Sequence, residues 1–87
     1  MSVDIPELNA DETLDARGLS CPLPLLKAKL ALNSMLAGQI LYVLATDAGS
    51  QRDFERFSEL SGHALIASTC LDSEFHYWLR KKRDQQS

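Results

Sequence analysis

Only two cysteines, Cys21 and Cys70, occur in the 87 residues. No CxxC pair and no clustered cysteine and histidine accompany them, which points away from a zinc site. In a reducing compartment two free thiols are then the default. Basic side chains are missing from residues 1–12, where Asp4, Glu7, Asp11 and Glu12 all fall. The positive and apolar regions of a secretory signal are therefore absent. No apolar run approaches the ~20 residues of a spanning helix. Positive charge is not in surplus either: 9 Lys and Arg stand against 12 Asp and Glu, a formal charge of −3. That balance argues against a domain whose main task is holding phosphate backbone, although not against a local basic patch. Internal repeats and linkers are also lacking. The expectation is a cytoplasmic protein with no membrane segment.

What is present is ordinary globular composition, 45% hydrophobic and 24% charged, at a length that suits one domain. Residues 1–9, punctuated by Pro6, read as a loose tail; residues 10–82 form the domain; residues 83–87 read as a frayed end. A short strand over Thr13–Ala16 closes at Gly18. From Pro22 to Leu36 the pattern is helical, with Leu25, Ala28, Leu32, Met35 and Leu36 on one arc and Gly38 as the stop. Ile40–Ala45 is an apolar run that reads as a central strand. Ser50 and Asp53 resemble a capping box opening a second helix, with Phe54, Phe57, Leu60 and Ser61 on its inner side and Gly62 at its end. His63–Cys70 and Glu74–Lys81 read as strands joined by a turn at Leu71–Ser73. The order β-α-β-α-β-β predicts an α+β fold, a two-layer sandwich with both helices on one face of a four-stranded mixed sheet. The other sheet face is then open unless a partner covers it.

Ser20-Cys21-Pro22-Leu23-Pro24 is the most informative stretch. Proline is tolerated in a helix's first turn, where amides have no intrahelical acceptor. With Pro22 as the first helical residue, Cys21 becomes the N-cap, beside the positive end of the helix dipole. That position favours thiolate and predicts a modest fall in the thiol pKa, with the Leu23 amide as the clearest local donor to the sulfur. Arg17 or Lys27 could add to it. A packed, inert cysteine is the bland alternative, but a loop-to-helix junction after Gly18 is accessible.

Asp15-Ala16-Arg17-Gly18-Leu19-Ser20-Cys21-Pro22-Leu23-Pro24 resembles the D-x-x-G-x-x-C-P-x-P signature of the TusA/SirA family of sulfur-carrier proteins. The likeness continues through Asp47, Ser50–Asp53 and the closing Tyr77-x-Leu79-Arg80-Lys81, and covers about residues 13–82. It implies that Cys21 carries sulfane sulfur as a persulfide, supported by Asp15, Gly18, Pro22 and Pro24. It also implies a donor protein of cysteine desulfurase or rhodanese type, a downstream acceptor protein, and no bound cofactor or metal. The family's destinations include tRNA 2-thiolation, molybdenum-cofactor synthesis and sulfur oxidation. Ala48 and Glu55 stand where many members have proline, and Leu23 where the tRNA-thiolation carriers often have Glu. These differences leave the thiol chemistry intact and bear on which partner it meets.

Leu23, Leu26 and Leu30 form a second apolar stripe that begins beside Cys21. It either packs on the domain or docks a partner, and it is the candidate docking strip. The basic run from Arg80 and Lys81 to Arg83 is a solvated terminus or a contact for an acidic partner. With His76 and Trp78 on the same strand face as Arg80, tRNA contact is the less favoured use of that run. Cys70 reads as core, His63 and His76 as ordinary strand histidines, and Asp47 and Asp53 as residues that cap or charge-stabilise a helix start. A monomer is expected. The sequence also admits two rival functions: an RNA-binding or regulatory module of the same fold, with Cys21 incidental, and a thiol–disulfide protein using Cys21 and Cys70.

Overall fold

A computed structural model describes residues 10–83. The expected tail, 1–9, and most of the expected frayed end, 84–87, lie outside the described residues. The elements are β1 (Glu12–Ala16), α1 (Leu23–Asn33), β2 (Ile40–Ala45), α2 (Ser50–Ser61), β3 (Ala64–Leu71) and β4 (Glu74–Arg80). The sheet order is β1-β2-β4-β3. β1 runs parallel to β2 in the register Glu12↔Leu41 to Ala16↔Ala45, and β4 is antiparallel to both β2 and β3. β4 therefore slots between two strands of one direction, so β2 and β3 need α2 as their crossover. The result is the predicted sandwich, with α1 over β1 and β2 and α2 over β3.

Alternation along the strands sets the layers. Leu41, Val43 and Ala45 of β2 and Tyr77 and Leu79 of β4 face the helices and are buried with Ala28, Leu32 and Phe54. Phe54 fixes α2 by stacking on Tyr77, with ring centroids 4.5 Å apart. The Ser50 hydroxyl meets the Tyr77 hydroxyl at 2.7 Å in the interior. On the opposite sheet face Tyr42 stacks on Trp78 at 4.8 Å, and its hydroxyl is 2.6 Å from His76 Nδ1. Asp72 and Ser73 both take positive φ, 54° and 66°, as a two-residue hairpin turn between β3 and β4 requires.

Several local readings are corrected. α1 ends at Asn33, not Leu36. Ser34 stops it: its amide and its hydroxyl both bond the Ala31 carbonyl, an alternative to helix that serine readily takes. Leu36 is consequently exposed instead of sharing the core arc, and Leu60 is exposed on α2. The inner face of α2 is Ser50, Phe54, Phe57, Ser58 and Ser61, a spacing on which Leu60 falls outside. Ser50 and Asp53 do not form a capping box. Gly49 is the N-cap without a side-chain cap bond, because the Ser50 hydroxyl is turned inward to Tyr77.

Candidate functional site

Because β1 and β2 are parallel, their C-terminal ends share one edge of the sheet, and the loops that follow them meet there. The loop after β1 is organised by Asp15, which accepts hydrogen bonds from the Arg17 amide at 3.1 Å and from its Nε and Nη2 at 2.9 Å. Arg17 Nη1 reaches Glu74 Oε2 at 3.2 Å. The guanidinium holds the exposed Asp15 carboxyl down to about 2, chiefly through the side-chain hydrogen bond. Gly18 turns the chain at φ +83°, a left-handed conformation that favours glycine. Its amide donates to Thr46 Oγ1 at 2.9 Å, tying this loop to the one after β2.

Cys21 follows, exposed, with a cis peptide bond to Pro22. The helix begins one residue later than the sequence suggests: Pro22 is the N-cap and Leu23 the first helical residue. Pro24 lies in the first turn, where its missing N–H costs nothing, and is buried against the domain. The Leu23 amide donates to the Ser20 carbonyl at 2.8 Å and is not the sulfur's donor.

The sulfur's partner comes instead from α2. Cys21 Sγ donates to Asp53 Oδ2 at 2.6 Å. Gly49 lets that helix approach: a Cβ at residue 49 would lie 3.0 Å from Asp47 Oδ2 and 3.8 Å from Cys21 Sγ. Asp47 accepts the Gly49 amide at 3.0 Å through its carboxylate, and its carbonyl accepts the Ser50 amide at 3.0 Å. It supports the helix start, as read from sequence.

This setting reverses the expected thiol pKa. The Cys21 pKa is raised, first by the hydrogen bond to Asp53, then by desolvation and by the charges of Asp53 and Asp47. Arg52 acts the other way, whereas Arg17 is committed to Asp15 and Glu74. Asp53 as the sulfur's partner was missed because the same residue also satisfies a helix-start pattern. Only its pairing across 32 positions of chain separates the two roles.

Leu23, Leu26 and Leu30 are exposed at 44%, 45% and 70%, so the stripe does not pack on the domain. Lys29, Leu25, Phe57 and Leu60 line a groove between the helices that reaches Asp53. Arg80 pairs with Ile40 and Ala64, the opening residues of β2 and β3, at the sheet edge opposite the thiol. Lys81 is there too, its Nζ bonding the Leu32 carbonyl at 2.6 Å. Trp78 and His76 do share a face, but both are buried, so they offer no stacking platform for bases. Cys70 is exposed and not core: it lies on the edge strand β3, beside Gln51 in a cleft with Ser68 and Phe75. Both cysteines are free. Cys21 lies against Gly49 at the start of α2, whereas Cys70 shares its cleft with Gln51 of that helix. Among the described residues no group of three His, Cys, Asp or Glu side chains could hold a metal. No described helix is long and apolar enough to cross a membrane.

The family model described as Sulfurtransferase TusA matches residues 12–81. The chain is 48% identical over 71 residues to a sulfur carrier protein TusA of Allochromatium vinosum, covering 82% of this chain and 93% of that one. It is 40% identical over 84 residues to a sulfur carrier protein TusA of Pseudomonas syringae, covering 97% and 100%. A crystal structure of a SirA-like protein from Desulfitobacterium hafniense superposes with a TM-score of 0.72 at 26% identity, covering 83% of this chain and 99% of that one.

Proposed function

The chain belongs to the TusA family of sulfur carriers, and we propose that Cys21 is the atom that carries the sulfur, as a persulfide. The Cys21 thiolate attacks the outer sulfur of a persulfide on a donor protein. The donor's S–S bond breaks, its inner sulfur leaves as a thiolate and takes up a proton, and a new S–S bond forms on Cys21. The donor cysteine is thereby reduced to a thiol as Cys21 becomes a persulfide, and the same exchange in reverse order hands the sulfur to an acceptor. In this sense the protein is a sulfurtransferase whose turnover requires two partners. A cysteine desulfurase or rhodanese-type protein suits the donor role, and tRNA 2-thiolation or another sulfur-trafficking route suits the destination.

The observation that carries this reading is an exposed cysteine on a loop braced from both sides. Asp15 and Gly18 shape the approach, and Pro22 and Pro24 stiffen the exit into α1. A thiol held this way meets another protein's sulfur with little reorganisation. Incubation with a cysteine desulfurase and cysteine should yield a species one sulfur atom heavier by mass spectrometry. The adduct should map to Cys21 and be lost in Cys21→Ser. An adduct that survives this substitution would refute the assignment.

Leu23, Leu26 and Leu30 start beside the thiol and are exposed, an apolar strip suited to docking the donor or acceptor. Since these side chains carry little of the core, Leu23→Glu combined with Leu26→Glu should leave the protein folded. Sulfur uptake from the desulfurase should slow by about tenfold, the scale of losing one central interface contact. An unchanged uptake rate would remove the strip from the docking surface.

A further inference from the structure

The carrier reading asks for a thiolate, yet the sulfur is in contact with a carboxylate. The Sγ–Oδ2 distance of 2.6 Å makes Asp53 the acceptor of the Cys21 proton's hydrogen bond. Asp47 lies on the same side, its Oδ2 within 3.0 Å of the Cβ position of Gly49, which itself flanks Sγ. The charged groups acting on the sulfur are these two acids and, opposing them, Arg52. The cation of the preceding loop, Arg17, is paired with Asp15 and Glu74. An ionised sulfur here would face a second negative charge at hydrogen-bonding distance, in a site open to solvent.

We propose that Asp53 is the proton gate of the carrier: it keeps the unloaded Cys21 a neutral thiol until a donor protein presents positive charge to the carboxylate. Building on the persulfide reading of Cys21, the partner surface that meets the thiol edge is thus basic as well as apolar. When a donor's Lys or Arg pairs with Asp53, the hydrogen bond to sulfur is released, the thiol proton passes to solvent, and the thiolate attacks the donor's sulfane sulfur. The donor's inner sulfur leaves as a thiolate and recovers a proton from solvent, so protons and electrons balance. Before the encounter, the protonated thiol reacts slowly with small electrophiles and oxidants, which consume thiolates.

The test is the pH profile of iodoacetamide alkylation, resolved by peptide so that Cys70 serves as an internal control. In the wild type the Cys21 midpoint should lie above that of an ordinary cysteine. In Asp53→Asn the midpoint should fall, with Cys70 unmoved. Alkylation at neutral pH should then rise about threefold per unit of fall, since the tenfold gain in thiolate is partly offset by weaker nucleophilicity. A wild-type midpoint at or below the ordinary value would overturn the gate, and this needs no variant to fold. So would an Asp53→Asn midpoint that stays or rises. Uptake from the desulfurase should slow with added salt in the wild type and respond less in Asp53→Asn; equal salt responses would overturn the basic-partner half. Failure of the wild type to gain sulfur on Cys21 would instead refute the carrier reading, independently of these profiles.

Discussion

A thiol in contact with a carboxylate cannot ionise as readily as one alone at a helix start, and at Cys21 the contact prevails. The prolines leave α1 little to offer the sulfur, because the Leu23 amide is already bonded to Ser20. Residue-scale electrostatics also mark His63, which is buried, accepts the Lys82 amide at Nδ1 at 3.0 Å and is stacked obliquely on Phe57. Burial lowers its pKa below the ordinary 6.5, and Lys81 and Lys82 push the same way. The unfolded chain therefore binds a proton near pH 6.5 that the folded one refuses. Stability is full above that pH and declines as pH falls toward the depressed folded value. Urea denaturation should show this decline in the wild type and a smaller one in His63→Gln. Equal declines would show that His63 does not contribute.

At the scale of elements, the two loops after the parallel strands make the site, and the helices stand behind it. α2 reaches Cys21 because Gly49 has no side chain and Asp47 pins the helix start. The β3–β4 hairpin shows the opposite economy: Asp72 and Ser73 hold positive φ without a glycine. Left-handed conformation is costly for serine and free for glycine. Ser73→Gly should therefore raise stability by about 0.5–1 kcal/mol, less than the full left-handed penalty because the unfolded chain gains freedom as well. A fall in the denaturation midpoint would contradict the turn geometry.

Across the whole molecule, the thiol and the closing basic run occupy opposite edges of the sheet. Lys81 and Lys82 end on carbonyls near the C-termini of α1 and α2, Leu32 and Ser61, both at 2.6 Å, where a cation offsets the helix dipole. Two of the basic side chains of the closing run are thus structural, and a partner that touched both this run and the sulfur would have to span the sheet. Trp78, the only tryptophan, is 3% exposed on the face away from the helices. With one core joining both layers, its emission should shift to the red in the same denaturant transition that abolishes far-UV circular dichroism. Separate transitions would mean that the layers unfold independently.

Hydrophobic periodicity, turn residues and the CPxP stretch determined the element order, the two-layer sandwich and the candidate thiol, because each depends on neighbours within a few positions. Helix ends and outward residues such as Leu36 and Leu60 escaped that reading, since apolar character alone does not say which way a side chain faces. The raised pKa of Cys21 escaped it for a deeper reason. It depends on a carboxylate 32 positions away in the chain, brought within bonding distance only when parallel strands carry two loops to one edge. Local sequence placed the sulfur at a helix start; the fold decided which helix governs its charge.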